Sequence, residues 1–327
     1  MIEPSNMPLH LVVSMPALNE AATVGDTIRR LPRELPGVGR MTVLVVDDGS
    51  TDATVAEAKA AGALVVSHGR RHGVGAAFQT GLAKALELGA DLLVTIDADG
   101  QFDPATIPQL IAPVTAGTAD FATASRFADP ALVPEMPASK RWGNHAMSYL
   151  ISTLAGERFY DVSCGMRCYN RHAAMSLNVI GDFTYTQEVF LNLAHKGLRI
   201  AEVPIRVRGV RAHGKSRVAS NLFRYAFKTS WIIFRCLRDY KPMRLFGTLG
   251  AVCGVIAAAL LLFLLTHFLQ TGAFSPHKWT GFTGGAFLLL AFFFFALGLI
   301  GDMLNRQRLY LESLLYLARR QVARGER

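Results

Sequence analysis

Two stretches constrain the fold more than any others. From Leu245 to Leu269 the chain is apolar without a single Asp, Glu, Lys or Arg, and from Gly281 to Leu304 it is apolar until Asp302. Each exceeds the ~20 residues that a helix needs to cross a hydrocarbon core ~30 Å thick. In lipid every backbone N–H and C=O must be satisfied within the segment, so each stretch is read as a membrane-spanning helix. A short spacer, Gln270 to Thr280, separates them. Arg235, Arg238, Lys241 and Arg244 precede the first span, and Arg306, Arg308, Arg319 and Arg320 follow the second. Positive charge collects on the cytoplasmic side, which predicts cytoplasmic termini, an outside loop and a place in the inner or plasma membrane.

The chain has 327 residues, 51% of them hydrophobic, with the excess concentrated after residue 244. The formal net charge of +9 suits nucleic acid, anionic lipid or phosphorylated substrates as partners. No long basic run and no basic stripe interleaved with aromatics is present, which argues against nucleic acid. Of the four cysteines, Cys164 and Cys168 lack a second metal-ligand pair, so zinc is not expected. They read as reduced cytosolic thiols. Met1 to Pro8 is polar and shows no secretory signal.

Ahead of the spans, strands alternate with helices. Strands are predicted at His10–Met15, Thr42–Val46, Ala63–Ser67, Leu92–Ile96 and Phe121–Ser125, with helices from Asn19 (as cap) to about Leu31, over roughly 76–89 and over 104–116. A helix capped by Ser50, Thr51 or Asp52 follows the second strand. This alternation means an α/β domain with a mostly parallel, helix-covered sheet.

Acids gather where strands end. Leu92 to Ile96 runs into Asp97-Ala98-Asp99-Gly100-Gln101, and Glu20 and Asp48 follow the first two strands. Parallel sheets bring such tips to one rim, where ligands bind. Spacing of i, i+2 sends Asp97 and Asp99 the same way while the strand persists. Adjacent carboxylates repel unless a cation lies between them, and hard oxygen ligands suit Mg²⁺ or Mn²⁺ shared with a substrate phosphate. A solvated Asp-x-Asp turn is the alternative. Asp48 suits a hydrogen bond to a nucleobase or ribose. Gly69 to Gly75 matches neither the phosphate loop nor the dinucleotide fingerprint.

The second half is basic. A helix over about 139–155 carries Lys140, Arg141 and His145 opposite Met147, Leu150, Ile151 and Leu154. Asp161 to Arg167 is a second site loop, or an ordinary strand with a glycine bulge. Glu188 sits near the start of a helix opened by Thr184, where an acid also suits the helix dipole. A strand over 199–207 leads into Arg206, Arg208, Arg211, His213, Lys215 and Arg217. Such a loop suits a diphosphate, and a solvated or lipid-facing basic surface is the alternative. Val218 to Asp239 alternates aromatic and basic residues, as in an interfacial amphipathic helix or, alternatively, a core helix.

Pro16-Ala17-Leu18-Asn19-Glu20, Val45-Val46-Asp47-Asp48-Gly49-Ser50-Thr51-Asp52, Asp97-Ala98-Asp99-Gly100-Gln101 and Arg211…Gly214-x-Ser216-Arg217 together resemble the family 2 glycosyltransferases of GT-A fold. Asp161…Cys164-Gly165-Met166-Arg167 and the two spans narrow the resemblance to the polyprenyl-phosphate glycosyltransferases. It covers roughly residues 10–240. The departures are Cys164, where the subgroup commonly has Ser, and Leu18, where an aromatic often stacks near the nucleobase. The resemblance implies a GT-A catalytic domain over 1–217, an amphipathic juxtamembrane helix over 218–242 and a two-helix anchor over 243–327. It implies that Pro16, Leu18, Glu20, Val46, Asp48 and Ala98 hold the nucleotide. Asp97, Asp99 and Gln101 would hold Mg²⁺ or Mn²⁺ on the donor diphosphate, with Asp99 catalytic. Arg126 and Arg167 would bind the lipid phosphate, Arg211 and Ser216 would close over the diphosphate, and Glu188 would stand nearby.

The implied reaction is inverting transfer of a hexose from a UDP- or GDP-sugar to a polyprenyl monophosphate at the cytoplasmic face. The rival enzyme, a processive polysaccharide synthase, carries Gln-x-x-Arg-Trp and more spans. Arg141-Trp142 lacks that Gln, precedes Glu188 and is followed by two spans. A non-catalytic membrane scaffold on a decayed transferase fold sits poorly with an intact Asp97 and Asp99. Packing between two-span anchors would support a homo-oligomer.

Overall fold

A computed structural model of the chain describes residues 8–178, 185–208, 234–235 and 237–324. The chain divides into two compact units, Met1–Arg217 with Leu315–Arg327, and Val218–Leu314. The first holds one seven-stranded sheet: β1 (Leu9–Ala17), β2 (Val38–Asp47), β3 (Leu64–Ser67), β4 (Leu92–Thr95), β5 (Phe121–Ser125), β6 (Arg167–Asn170) and β7 (Ile200–Pro204). Its order is β3-β2-β1-β4-β6-β5-β7, and every pairing is parallel except those of β6 with β4 and β5.

The strands are apolar runs because helices cover them. Leu11, Val12, Val13, Met15, Leu44, Val45 and Val46 are fully buried, as are Val94 and Phe121. The helices are α1 (Val24–Arg29), α2 (Thr54–Ala60), α3 (Val74–Glu87), α4 (Ile107–Thr115), α5 (Ala138–Ala155), α6 (Arg171–Ser176) and α7 (Tyr185–His195). Parallel β1, β2 and β4 bring their C-terminal ends to one rim.

Two local expectations need correction, and one strand is added. Asn19 does not cap a helix: it adopts a left-handed conformation (φ 54°), and α1 begins only at Val24 and ends at Arg29. Pro104 opens a 3₁₀ turn (Pro104–Thr106) rather than the α-helix; Asp103 accepts from Ala105 N at 3.2 Å, and α4 follows. The segment after Gly165 is a strand, β6, inserted antiparallel in the middle of the sheet. Its four residues are too few for a periodic pattern to declare it. The chain leading to Tyr185, with Thr184, lies outside the described residues.

The second unit contains α8 (Pro242–Thr271) and all but the last turns of α9 (Lys278–Arg324). Both are long and apolar enough to cross a membrane. Small residues let them pack closely, as membrane helices require. A Cβ on Gly301 would lie 2.6 Å from Pro242 Cβ, and one on Gly250 would lie 3.0 Å from the Ala291 carbonyl oxygen. The 47 residues of α9 extend ~70 Å at 1.5 Å each, well beyond a ~30 Å hydrocarbon core. Its later part is charged and paired within the unit: Asp302 with Arg306 at 3.1 Å, and Arg308 with Glu312 at 2.8 Å. Its last turns belong with the sheet, where Arg319 donates to the carbonyls of Met175 (2.9 Å) and Leu177 (2.6 Å). The expected amphipathic helix over 218–242 lies mostly outside the described residues.

Candidate active site

The loops after β1 and β2 are tied to each other by main chain and short side chains. Asn19 N donates to Ser50 Oγ (2.9 Å), Thr51 N donates to Asn19 Oδ1 (2.8 Å), and Glu20 N donates to Thr54 Oγ1 (2.8 Å). The left-handed Asn19 therefore joins two strand tips. Glu20 turns toward Thr23, whose hydroxyl donates to its Oε2 at 3.2 Å. Pro16, Leu18 and Val46 lie along these same tips, Val46 fully buried and the other two half-buried.

Asp47 and Asp48 are both buried. Asp48 accepts from His72 N and Gly73 N, each at 2.8 Å, and lies 3.1 Å from His68 Nδ1. Burial alone would raise its carboxyl, but these hydrogen bonds outweigh it and hold the group below the ordinary carboxylate range. Asp48, the residue expected to face a nucleobase or ribose, also braces the glycine-rich loop over 69–73.

Asp97 and Asp99 follow β4 directly. Ile96 N still bonds Ser14 O in register (3.1 Å), so the chain leaves the sheet at Asp97. Asp99 is 3% exposed and its Oδ1 accepts from Gln101 N at 3.0 Å. Ala98 is buried between the two acids. Asp97 packs on Gly165, where an added Cβ would lie 2.6 Å from Asp97 Oδ2. Thr95 Oγ1 donates to the Gly165 carbonyl at 3.0 Å, which fixes that glycine beneath the carboxylate. The Asp97 carboxylate also reaches Tyr185 at the start of α7: burial first, then this negative charge, push the phenol up.

Gln101 holds a different partner from the one expected. Its Nε2 donates to Arg208 O at 3.3 Å, and Arg208 N donates back to Gln101 O at 3.1 Å. The segment leading toward the basic loop thus starts beside Asp99. Arg211 and Ser216 themselves lie outside the described residues.

On the other side of β4 the arginines are occupied. Arg126, just after β5, forms a two-pronged pair with Asp161: Nε to Oδ2 at 2.7 Å and Nη2 to Oδ1 at 2.9 Å. Its Nη2 also donates to Ser163 Oγ (2.8 Å), which in turn donates to Asn144 Oδ1 on α5 (2.9 Å). Asp161 is fully buried; burial would raise it, yet Arg126 and the amides of Arg126 and Ser163 hold it below the ordinary range. Glu202 of β7 accepts from Tyr160 N and Asp161 N, both at 2.8 Å, and burial raises its carboxyl.

Arg167 is 0% exposed. It donates to the carbonyls of Cys164 (2.8 Å), Val162 (3.2 Å) and Thr186 (2.9 Å) and lies against Phe121, Tyr185 and Phe190. This burial corrects the expectation of direct contact with a lipid phosphate: the guanidinium shapes the loop from beneath. Glu188 is half-buried in the first turn of α7, on the same helix as Tyr185. Cys164 is an inert buried thiol, pushed up to about 12 by burial and then by Asp161. The neighbouring hydroxyl, Ser163 Oγ, is held by Arg126, Asn144 and Asp161. Asn144, Ser163, His68 and Glu202 went unsingled from the sequence because their partners lie far away along the chain.

The family model described as "Glycosyl transferase family 2" matches residues 12–177, half of the chain. The chain is a family 2 glycosyltransferase. Several of its relatives are named as polyprenyl-phosphate sugar transferases. An undecaprenyl-phosphate mannosyltransferase of Micrococcus luteus is 32% identical over 206 residues, 60% of this chain and 83% of that one. A UDP-N-acetylglucosamine–dolichyl-phosphate N-acetylglucosaminyltransferase of Methanococcus voltae is 29% identical, over 61% of this chain and 84% of that one. An undecaprenyl-phosphate 4-deoxy-4-formamido-L-arabinose transferase of Pseudomonas aeruginosa is 27% identical over 316 residues, 91% of this chain and 86% of that one. Among solved structures, glucosyl-3-phosphoglycerate synthase of Mycobacterium tuberculosis, in complex with Mn²⁺, UDP-glucose and phosphoglyceric acid, matches with a TM-score of 0.53 at 25% identity. That match covers 70% of this chain and 79% of that one. The transferase therefore has the GT-A fold and is an enzyme of the hexosyl-transfer class.

The residues of this transferase fit a divalent cation. Two carboxylates leave one strand tip, and Gly165 keeps a cradle open at Asp97 that any Cβ would fill. A pair of carboxylates suits a metal of the Mg²⁺ type, which takes one or two protein carboxylates and completes its shell with water and substrate phosphate.

Proposed function

We propose that this protein is a membrane-anchored, inverting glycosyltransferase that moves a hexose from a UDP- or GDP-sugar to a polyprenyl monophosphate. The observation that carries this reading is the pairing of the Asp97/Asp99 tip with two apolar helices, in a chain that matches an undecaprenyl-phosphate sugar transferase over 91% of its length. The catalytic domain is assigned to 1–217, a juxtamembrane helix to 218–242 and the anchor to 243–327. Both termini and the active site face the cytoplasm, because basic residues flank the outer ends of the spans. Association of two-span anchors into a homo-oligomer belongs to the same reading.

Asp97 and Asp99 are assigned to Mg²⁺ or Mn²⁺, which supplies charge neutralisation of the donor diphosphate as it leaves. Asp99, fixed by Gln101 N, orients that charge. The nucleotide lies along Pro16, Leu18, Glu20 and Val46, with Asp48 keeping the adjoining loop in shape. Arg211 and Ser216 are assigned to the diphosphate, as the resemblance implies. A lipid monophosphate is anionic near neutral pH and needs no general base. It needs alignment for in-line attack, which raises effective concentration without any proton transfer. Arg126, paired with buried Asp161, keeps a partly exposed guanidinium for a polar but not quenching contact with the lipid phosphate. Arg167 positions the 161–166 loop, and Glu188, in the first turn of α7, is assigned a place near the site.

The test uses membranes carrying the protein, polyprenyl phosphate, Mg²⁺ or Mn²⁺ and a panel of radiolabelled UDP- and GDP-sugars. Label from one donor should enter the organic extract and vanish with Asp99→Ala. No lipid-borne label from any donor, in protein that still binds nucleotide, overturns the lipid acceptor.

A further inference from the structure

Asp48 is a carboxylate whose hydrogen-bonding sites are mostly filled by the protein itself. It follows β2 directly and is 4% exposed. Its Oδ1 accepts from His72 N at 2.8 Å and lies 3.1 Å from His68 Nδ1, and its Oδ2 accepts from Gly73 N at 2.8 Å. The carboxyl is held below the ordinary range, so at neutral pH it is ionised and can only accept. The His68 nitrogen facing it therefore carries the hydrogen. The far nitrogen of that ring, Nε2, is fixed by Thr80 Oγ1 of α3 at 2.9 Å. An ionised carboxylate has about four lone-pair sites, two on each oxygen. Oδ1 is full. Among the described residues Oδ2 has one donor, which leaves room for one more.

Turning the side chain cannot free a second site on Oδ2 without breaking all three of these bonds. The loop that supplies the two amides is itself seated on the turn after Asp48. Gly49 there has φ 81°, and an added Cβ would lie 2.6 Å from the Arg70 carbonyl carbon. The preceding acid offers no alternative: Asp47 is 2% exposed and accepts from Ser50 N (2.9 Å) and Ser67 Oγ (2.6 Å). Pro16 and Leu18, assigned above to the nucleotide, stand on the adjoining β1 tip, where Asp48 N donates to Ala17 O at 2.9 Å.

The two candidate bases differ in the donors they present. Uracil has one, the imino N3–H, between two carbonyls. Guanine has two side by side, N1–H and the 2-amino group, and a carboxylate that holds this edge must accept twice. Asp48 has one acceptance left. We propose that the sugar donor is a uridine diphosphate sugar whose uracil N3–H donates to Asp48 Oδ2, and that the brace by His68, His72 and Gly73 excludes guanine. The inference rests on the nucleotide-sugar reading of the site and narrows it to one base. Guanine seated there would leave an N–H without an acceptor, which corresponds to roughly tenfold in affinity or more.

The test titrates full-length protein in detergent, with Mn²⁺ present, against UDP, GDP and N3-methyl-UDP by calorimetry. UDP should bind about tenfold more tightly than GDP, or better. N3-methyl-UDP, which keeps every other group of the base, should lose at least as much. GDP bound as well as UDP overturns the inference and leaves the transferase reading standing. UDP and N3-methyl-UDP bound alike also overturn it, because the imino hydrogen then meets no acceptor. No binding of either nucleotide overturns both. None of these readouts needs a lipid acceptor, so a failure of the acceptor reading is seen separately. As a second arm, Asp48→Asn replaces a carboxylate oxygen by an N–H group of similar size, and most of the preference for UDP over GDP should disappear. A folded Asp48→Asn protein that keeps the wild-type preference overturns the inference. Should that variant not fold, the N3-methyl comparison in the wild-type protein decides by itself.

Discussion

The two sides of the rim handle charge in opposite ways. On the β1, β2 and β4 side, two acids, Asp97 and the buried Asp99, are gathered at one strand tip. On the β5 and β6 side, Arg126 is matched by buried Asp161 and Arg167 by three carbonyls. The first arrangement gathers acids, which the proposed function assigns to a cation brought with the substrate. The second is balanced within the folded protein. Loss of a side chain should therefore damage chemistry on one side and folding on the other.

The sharpest contrast comes from the two aspartates. Asp99→Ala should lower sugar transfer by at least ~10³-fold, about 4 kcal/mol of transition-state stabilisation, with little change in melting temperature. Asp161→Asn should do the reverse first. It leaves the Arg126 guanidinium without its carboxylate in a largely buried place, at a cost of ~3 kcal/mol, the low end for such pairs because Arg126 keeps some water contact. Thermal melts would show a fall of several degrees. If Asp161→Asn melts like the wild type while Asp99→Ala unfolds, the contrast is wrong.

The same pair has a pH signature. The Asp161 carboxyl is held below its ordinary value, so its stabilisation is present above the unfolded value of ~3.9 and is lost as pH falls toward the lowered folded value. The stability gap between wild type and Asp161→Asn should be constant from neutral pH down to about 4 and close below it. A gap that closes instead between pH 6 and 8 would point to another group.

These two sides also differ in how far they could be read from the chain. The acids lie within short motifs, and the strands before them are apolar runs long enough to recognise; β5 is found at its expected bounds, Phe121–Ser125. The arginine partners are another matter. Arg126 and Asp161 are 35 residues apart and meet because β6 inserts antiparallel between β4 and β5. Nothing local in Arg-Cys-Tyr-Asn announces a central strand, since it is buried on both faces and too short for alternation. An arginine beside a motif therefore reads as a ligand for phosphate whether it faces a rim or, like Arg167, lies in the core. The spans are legible for the opposite reason: lipid demands a long continuous pattern. Asn19 failed as a cap because a left-handed residue serves a loop-to-loop contact, and such contacts leave no trace in helix-start chemistry.

A smaller effect tests the cradle under Asp97. Gly165→Ala places a methyl 2.6 Å from Asp97 Oδ2, so the carboxylate must shift while the sheet beneath it stays. The metal concentration for half-maximal transfer should rise ~10-fold or somewhat more, the range seen when the support of a metal ligand is disturbed. Titration of Mn²⁺ against transfer, with nucleotide binding measured alongside, checks it. An unchanged titration would remove Gly165 from the metal side of the comparison.

The smallest predicted effect decides which side of the site Gln101 belongs to. As a metal ligand it would share the fate of Asp99. As the residue that ties Arg208 to the strand tip, it organises the chain leading to the basic loop. A single neutral hydrogen bond contributes about 1 kcal/mol, which is roughly fivefold in an equilibrium. Gln101→Ala should therefore raise the donor KM about fivefold, leaving the metal titration and the melting temperature close to wild type. Gln101→Glu sharpens the distinction, because a carboxylate cannot donate to the Arg208 carbonyl yet would be a better ligand for Mg²⁺ than an amide. If Gln101→Glu keeps the raised donor KM and does not tighten metal, the residue acts through the loop. If it restores the donor KM and lowers the metal requirement, Gln101 stands with Asp97 and Asp99, and the concentrated negative tip extends one residue further than the hydrogen bonds of the structure suggest.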